Sequence, residues 1–347
     1  MKRINKTDYL HAISCAKYAK KCGYRNLEYN QGYKIYQWCK KYLDTQKLDF
    51  QILEFWVVKK DSQGYKRGQK IMSRKKMQRF VALGGKVRTI RCHKKETRKA
   101  MKELIEQLDI TDKNQHGFTK GRDIFTAMEQ ASQFATRRNF KVSVASLDLS
   151  NAFEQITKNQ IYAIFRIIFK LNKKHAEKLS EIMTINNRLF QGNVISPQLF
   201  NIWFLKVYSQ LEKVVNRAGN FKLISYADDL TVITLYPSMS WKFLNFIKRI
   251  IKQAGFQINS RKTRIKNGKD MEICGLQWKT NANGEWKIYP RKTQKLKKLI
   301  RLWNFILAKN PLAQTPRLNK NGGQIFAYEM SKGLENWYKR TMNFQPI

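Results

Sequence analysis

The sequence predicts an α+β fold, in which short strands and longer amphipathic helices share one core. Residues Val142–Leu149 alternate in polarity and favour β structure, which predicts a strand. Leu223–Tyr226 and Leu230–Leu235 are apolar and closely spaced, which predicts two further strands joined by a tight turn. Between these two regions, Phe200–Val215 repeats apolar residues at helical spacing, which predicts a long helix.

The N-terminal part of the chain predicts helices followed by a basic connection. Residues 1 to about 60 have a helical, aromatic-rich pattern. Gly64–Arg79 is polar and strongly basic, and it fits either a solvated loop or a nucleic-acid contact. Arg79–Ile90 contains Gly84-Gly85, which predicts a strand, a turn and a second strand.

Helix signals follow in the middle of the chain. Helices are predicted from the strand at Val142–Leu149 through to Ile185. Ser196 followed by Pro197 is typical of an N-cap and the first residue of a helix. Trp241–Ala254 predicts another helix, which Gly255 would end.

Beyond Pro290 the pattern predicts a basic amphipathic helix that ends at Pro311. Leu296, Leu299, Trp303 and Leu307 mark one face, with Lys298 and Arg301 mostly off it. A helix of this kind binds either a membrane surface or a nucleic-acid backbone. The rest of the sequence favours nucleic acid.

The net charge is the strongest compositional signal. The 347 residues include 68 Lys and Arg against 25 Asp and Glu, which gives a net charge of +43. Such an excess needs a polyanion as a partner, and nucleic acid is the most common one. Hydrophobic residues make up 42% of the chain, enough for a core, which argues against a disordered basic tail.

Neither a membrane nor an oxidising compartment is predicted. No apolar run is long enough to span a bilayer, and no secretory signal pattern occurs. The five cysteines are scattered without a CxxC pair, which is typical of reduced thiols in a cytosol.

Three carboxylates form the candidate chemical centre. Asp228 and Asp229 occupy the turn between the two apolar strands, and Asp148 ends an earlier strand. Phosphoryl transfer is commonly assisted by two Mg²⁺ ions, which take hard oxygen ligands such as these. An isolated Asp-Asp pair is more often an ordinary turn. The combination with flanking strands and a large positive charge favours a metal site.

Seven segments resemble, in order and spacing, the blocks of reverse transcriptases. The central one is Tyr226-Ala227-Asp228-Asp229, which is similar to their YxDD box. The others are Gly84–Ile90, Gly117–Arg122, Asp148–Phe153, Gln191–Pro197, Gly255–Thr263 and Cys274–Leu276. The resemblance spans residues 84–276, and the size of the chain suits a bacterial enzyme of the retron or defence-associated type.

The resemblance implies roles for individual residues. Asp148, Asp228 and Asp229 would be the catalytic residues and, with Leu149, would bind two Mg²⁺ ions. The residues implied to bind the nucleotide are Lys86, Arg88, Phe153, Gln191 and Lys262. The residues implied to bind nucleic acid are Arg122, Tyr226, Gly275, Lys298 and Arg301.

Several of these residues also have an ordinary structural interpretation. Phe153 would exclude a 2′-OH and so select deoxynucleotides, or it would simply pack in the core. Lys86 and Arg88 would clasp the triphosphate, or they would form a solvated strand face. Lys262 would protonate the pyrophosphate, or it would be a plain surface lysine.

The fold implied is a right-hand polymerase with fingers, an antiparallel palm and a helical thumb. Residues 1–75 would form an N-terminal helical basic extension, 76–140 the fingers, 141–280 the palm and 281–347 the thumb.

The activity implied is RNA-directed DNA synthesis in a bacterial cytoplasm, with antiviral defence as the biological setting. The expected partners are dNTPs, a DNA product, an RNA template that is a cognate non-coding RNA, and a possible protein partner in a defence complex. No membrane partner is expected. The alternatives are an RNA-templated RNA polymerase and a catalytically silent RNA-binding scaffold of the same fold.

Overall fold

The computed structural model describes most of the chain in two compact units. The described residues are 4–60, 62, 64–65, 68–136, 142–218, 221–235, 240–267, 271–273, 276–280, 286–290 and 336. Unit 1 contains residues 1–121, 149–218 and 246–259, and unit 2 contains residues 122–148, 219–245 and 260–347.

Helices and antiparallel strands both occur, which confirms the predicted α+β class. The helices are α1 (Lys6–Lys21), α2 (Tyr33–Cys39), α3 (Arg74–Ala82), α4 (Lys95–Ile105), α5 (Ile124–Thr136), α6 (Lys158–Ala163), α7 (Lys173–Ile182), α8 (Ser196–Ala218) and α9 (Ser240–Gln253). The strands are β1 (Ile52–Val58), β2 (Lys70–Ile71), β3 (Val87–His93), β4 (Ser143–Asp148), β5 (Thr184–Ile185), β6 (Arg188–Leu189), β7 (Phe221–Tyr226), β8 (Asp229–Thr234), β9 (Arg264–Asn267), β10 (Met271–Ile273), β11 (Leu276–Thr280) and β12 (Trp286–Pro290).

Unit 1 is built around α8, whose apolar side chains up to Leu211 are almost wholly buried. Trp203 and Phe204 on this helix are both at most 1% exposed. Helix α1 packs against α8, and His11 stacks on the Trp203 ring with centroids 3.7 Å apart. The imidazole Nε2 also donates to the Trp203 carbonyl at 2.9 Å. The N-terminal helix is therefore an integral part of this core.

Burial of His11 predicts an acid-sensitive stability. Desolvation lowers the pKa of His11 from 6.5 to about 3, so the unfolded chain takes up a proton on this ring that the folded chain refuses. The stabilisation is complete above pH 6.5 and is lost as the pH falls toward 3, by about 2 kcal/mol between pH 7 and pH 5. Melting temperatures should fall more steeply between pH 7 and pH 5 in the wild type than in His11→Phe, which keeps only the contribution of other buried groups such as His93. Parallel pH curves for the two proteins would contradict it.

The three-stranded sheet of unit 1, in the order β2-β1-β3, corrects two sequence predictions. The helical pattern expected up to residue 60 ends earlier, because Ile52–Val58 is the central strand β1. The strand–turn–strand expected at Arg79–Ile90 is instead helix α3 followed by β3. Gly84, at φ 85°, lies just beyond the end of α3, where a left-handed residue commonly follows a helix.

The start of α8 differs in detail from the prediction. The helix begins at Ser196, but the hydroxyl of Ser196 donates to the Phe190 carbonyl at 2.8 Å instead of capping the helix. Ile195 precedes it, and its carbonyl accepts the Leu199 N–H. The Ser196 hydroxyl therefore ties the preceding loop to the helix. The helix predicted at Trp241–Ala254 is confirmed as α9, with Gly255 at φ 91°.

Unit 2 contains a four-stranded sheet in the order β7-β8-β4-β9, with all described pairs antiparallel. The predicted strands at 142–149, 223–226 and 230–235 are confirmed as β4, β7 and β8. Helix α5 covers one face of this sheet through an apolar cluster that includes Phe125, Met128, Val144 and Ile233. Strands β10, β11 and β12 pair in that order as a second antiparallel sheet of the unit.

Within the described part of the chain, no helix has the length and apolarity needed to cross a bilayer. The basic helix predicted after Pro290 lies outside the described residues.

Candidate active site

A two-residue hairpin turn presents the paired carboxylates. Tyr226 and Asp229 are cross-strand partners at the ends of β7 and β8, so Ala227 and Asp228 form the turn. Ala227 has a φ of 56°, a left-handed conformation that costs an alanine about 1–2 kcal/mol. Backbone strain of this kind is concentrated at functional sites, where the surrounding structure maintains it. Asp228 and Asp229 are both exposed at this tip.

The register of β4 and β8 places a third carboxylate beside the turn. Asp148 is the direct partner of Asp229 across these antiparallel strands. Cβ atoms of such partners are about 4.5–5.5 Å apart on one face of the sheet. Val144 and Ile233 are partners on that same face, because residues an even number apart point the same way. Asp148 and Asp229 therefore extend the α5-covered face at its end.

Lys262 lies against the innermost of these carboxylates. Its ammonium is 3.0 and 2.9 Å from the two carboxylate oxygens of Asp148. Continuing the β4–β9 register beyond Ser146 and Arg264 brings Lys262 level with Asp148, which explains the contact. The Lys262 side chain is 63% exposed and that of Asp148 is 20% exposed. An ion pair with so exposed a lysine contributes only about 0–1 kcal/mol, so another cation can displace it.

Asp148 and Asp229 fit Mg²⁺ in donor type, and they lie beside each other as cross-strand partners. Mg²⁺ prefers oxygen ligands, and it is commonly held by one or two carboxylates plus waters and substrate phosphates. The Lys262 ammonium on Asp148 already shows a cation at this position. No group of three or more described His, Cys, Asp or Glu side chains converges into a metal-ligand cluster. A pair of carboxylates of this kind would leave coordination positions for waters and substrate phosphates.

The predicted nucleotide residue Phe153 lies in unit 1 on an aromatic cluster. Its ring meets buried Phe200 edge-on at 5.9 Å, and Phe200 contacts Phe256 at 5.4 Å. Phe200 and Phe256 are at most 2% exposed, whereas Phe153 is only partly buried. Phe200 therefore packs against one side of the Phe153 ring. The rest of the Phe153 ring is accessible to solvent, so core packing does not account for the whole ring.

Phe118, to which the sequence alone assigns no role, lies beside Phe153. Its ring lies 6.5 Å from that of Phe153, and its side chain is 51% exposed. Its backbone has a φ of 59°, which is rare for a bulky residue. The signal that could have pointed to it was its place in the Gly117-Phe118 motif, where an exposed aromatic follows a glycine.

Gln191 is held against the strand that carries Arg88. The Gln191 carbonyl accepts the Arg91 N–H at 2.9 Å, and Arg91 belongs to β3. The next residue, Gly192, has a φ of 105°, and a Cβ there would lie 2.3 Å from the Arg91 carbonyl oxygen. Only glycine allows this close approach. Unit 1 therefore brings Gln191 onto β3, with Arg88 and Lys86 exposed along the same segment.

The remaining predicted residues are placed less informatively. Leu149 has a buried side chain without donor atoms, so only its backbone could face a metal. Arg122 begins unit 2, and Tyr226 is partly buried at the hairpin. Gly275, Lys298 and Arg301 lie outside the described residues.

The predicted set thus falls into two groups. In unit 2, Asp148 is the cross-strand partner of Asp229, Asp228 precedes Asp229 in the turn, and Lys262 contacts Asp148. In unit 1, Lys86 and Arg88 lie on the segment whose Arg91 N–H is hydrogen-bonded to the Gln191 carbonyl. Phe153 belongs to unit 1 and has its own aromatic surroundings.

Solved structures with a similar fold include yeast telomerases. Telomerase from Candida tropicalis in complex with a fragment of telomeric RNA aligns with a TM-score of 0.49 and 13% identity, over 82% of this chain and 60% of that one. The apo form of the same telomerase aligns with a TM-score of 0.47 and 12% identity, over 89% and 64% of the two chains.

Sequence relatives are bacterial retron enzymes. The retron Se72 reverse transcriptase of Salmonella heidelberg is 25% identical over 73% of this chain and 63% of its own length. The retron Ec86 reverse transcriptase of Escherichia coli is 31% identical over 38% of this chain and 41% of its own length. The matched regions therefore span less than two thirds of these relatives. The profile of the family described as reverse transcriptase (RNA-dependent DNA polymerase) matches residues 73–299, which include the hairpin and its partner strands. The chain belongs to the reverse transcriptase family.

Proposed function

We propose that the chain is an RNA-directed DNA polymerase that uses two Mg²⁺ ions to add dNTPs to a 3′-OH on an RNA template. The observation that carries the proposal is the pairing of Asp148 with Asp229, beside Asp228 in a strained turn. Membership of the reverse transcriptase family supports the choice of reaction. The retron relatives support a bacterial setting.

The chemistry divides between the metals and the side chains. When bound, the Mg²⁺ ions would neutralise charge that develops on the attacking, leaving and phosphoryl oxygens. Asp148, Asp228 and Asp229 would hold them. The β4–β8 register supports this by pairing Asp148 with Asp229, and Asp228 precedes Asp229 in the turn. The attacking 3′-OH loses its proton to solvent and its oxygen forms a bond to the α-phosphorus of the dNTP. The bond from the α-phosphorus to the bridging oxygen breaks, and pyrophosphate leaves with its electrons. The protein contributes mainly position and charge.

The residues of unit 1 would recognise the nucleotide. Arg88 offers a planar fork to phosphate oxygens, and Lys86 adds a second cation on the same exposed segment. Gln191 would line the nucleotide pocket, and the hydrogen bond between its backbone carbonyl and the Arg91 N–H would hold it in position. Phe153, supported by Phe200, would exclude a 2′-OH.

Lys262 would serve as the proton donor to the leaving pyrophosphate. Its ion pair with Asp148 is weak and exposed, so metal binding by Asp148 would release the ammonium. We expect Lys262→Met to slow incorporation by about 10²-fold, the low end of what a general acid contributes. The same variant should need less Mg²⁺ for half-maximal rate, because Asp148 no longer has a competing cation.

Lys262→Arg is the matched control for charge. It keeps the ion pair but releases a proton poorly, so its rate should fall while its Mg²⁺ requirement stays near that of the wild type. Single-nucleotide incorporation measured across a Mg²⁺ titration separates the two effects. Unchanged rates in both variants would make Lys262 a plain surface lysine.

For the biological role, we propose a bacterial cytoplasmic enzyme whose template is a cognate non-coding RNA, acting in antiviral defence. This extends the resemblance to retron enzymes, and the net charge of +43 supports an extended polyanion as the partner. A protein partner in the same defence complex completes the proposal. Sequencing the nucleic acid that co-purifies with the chain tests the template assignment.

The activity is tested with the purified chain, a primed RNA template and Mg²⁺, with dNTPs and rNTPs supplied separately. Extension with dNTPs alone is expected. Extension with rNTPs would support an RNA-templated RNA polymerase instead. RNA binding without any incorporation would support a catalytically silent scaffold.

A further inference from the structure

A cavity in unit 1 lies away from every residue to which the proposed reaction gives a role. Its volume is about 260 Å³, just below the roughly 300–1,000 Å³ of pockets for drug-sized ligands. It is lined by residues of α1, of the segment that follows it, and of the segment before α7. Its apolar wall includes Ile13, Leu27 and Ile168, so a flat apolar group of moderate size would be desolvated there.

The rim of this cavity carries cations and one aromatic ring. Lys17, Lys20 and Lys170 line it together with a single acid, Glu28. Within the described part of the chain, none of these three lysines forms an ion pair. Tyr29 also lines it and is 76% exposed, the most exposed of the large hydrophobic side chains in the described residues. The rim therefore combines three lysine ammonium groups with the exposed aromatic ring of Tyr29.

Two π-helical turns shape the cavity and hold it in place. Glu28–Gly32 carries Tyr29, and Ile164–Ile168 carries two of the wall residues. π-Helical turns are rare and frequently occur at functional sites. Gly32 allows the two segments to approach closely, since a Cβ on it would lie 2.3 Å from the carbonyl oxygen of Phe169, the residue after the second π-helical turn. Lys170, next along the chain, has a left-handed φ of 56°.

We infer that this cavity, the α1 pocket, binds one unpaired nucleotide of single-stranded RNA. The base would enter the apolar cavity beside the Tyr29 ring, and Lys17, Lys20 and Lys170 would meet the neighbouring phosphates. Single-stranded nucleic acids are bound in this way, by stacking on aromatic side chains beside a basic surface. The choice of RNA over other polyanions rests on the proposed function, whereas the pocket and its charge do not.

The matched variants are Tyr29→Ala and Tyr33→Ala. Both tyrosines are exposed, at 76% and 58%, and they are four residues apart, but Tyr33 does not line the pocket. The probe is a fluorescent single-stranded oligouridylate containing 4-thiouridine, of about 12 nucleotides, within the roughly 4–16 that such sites cover. Anisotropy gives its affinity for the full chain, and photocrosslinking followed by mass spectrometry gives its position.

We expect the wild type to crosslink at Tyr29, and Tyr29→Ala to lose that crosslink and bind about tenfold more weakly, the order of one lost stacked base. Tyr33→Ala should match the wild type. Heparin, which has charge but no bases, should bind all three proteins equally. Equal RNA affinity for both variants would overturn the inference, as would an equal loss of heparin binding by Tyr29→Ala, which would indicate a general anion site.

The result is independent of catalysis. If the wild type extended nothing, the proposed function would fail, while the crosslink and the affinities would still decide the fate of the α1 pocket.

Discussion

Asp228→Asn is expected to reduce DNA synthesis with Mg²⁺ by about 10³-fold or more. The change keeps the size of the side chain and removes its negative charge. A carboxylate ligand of the metal is thereby replaced by a neutral amide, which binds Mg²⁺ more weakly. Metal ions supply several kcal/mol of transition-state stabilisation, and about 4 kcal/mol corresponds to 10³ in rate. The residue is exposed in a two-residue turn, so the variant should remain folded, which a melting curve checks. Rates of single dNTP addition on a primed RNA template provide the measurement.

Two controls make this result specific. Glu212→Gln makes the same change of charge at a partly exposed carboxylate that pairs with Lys21, and it should leave extension intact. RNA affinity of Asp228→Asn should equal or slightly exceed that of the wild type, since a negative charge is removed from a polyanion-binding protein. Wild-type synthesis by Asp228→Asn would refute the metal assignment.

The hairpin and its partner strand could be predicted because their signals are local. Strands β4, β7 and β8 each contain a short apolar run, and the two aspartates between the last two runs mark the turn. Their register could not be predicted, because pairing Asp148 with Asp229 depends on how distant segments align. The contact between Lys262 and Asp148 depends on a second register, that of β4 and β9, and therefore could not be predicted from the sequence either.

The errors have equally physical causes. Gly84-Gly85 suggested a hairpin turn, but the same left-handed glycine conformation also ends a helix, and α3 precedes it. The sequence of strand β1, Ile52–Val58, is a short and largely apolar run without strict alternation, and periodicity alone does not distinguish such a run from a helical segment. The proximity of Phe118 to Phe153 could not be predicted, because the two residues are remote in sequence.

Phe153→Val is expected to weaken the preference for dNTPs over rNTPs by about 10–10²-fold. The ring is partly exposed and rests on Phe200, so shortening it opens space on the uncovered side, where a 2′-OH would otherwise clash. The size of the effect follows from steric selection in apolar pockets, where small groups are discriminated by about 1–3 kcal/mol. Competing incorporation of a matched dNTP and rNTP gives the ratio directly.

Phe200→Leu distinguishes this selective role from ordinary core packing. Phe200 is 1% exposed and contacts Phe153, Phe204 and Phe256, so its replacement removes packing without opening the exposed side of Phe153. Its melting temperature should fall, as expected for a truncated buried ring, while its sugar preference stays close to that of the wild type. If Phe153→Val instead lowers the melting temperature and leaves the sugar preference unchanged, Phe153 is a core residue. Selection of deoxynucleotides would then depend on another group near the sugar, and Phe118 would be the next residue to vary.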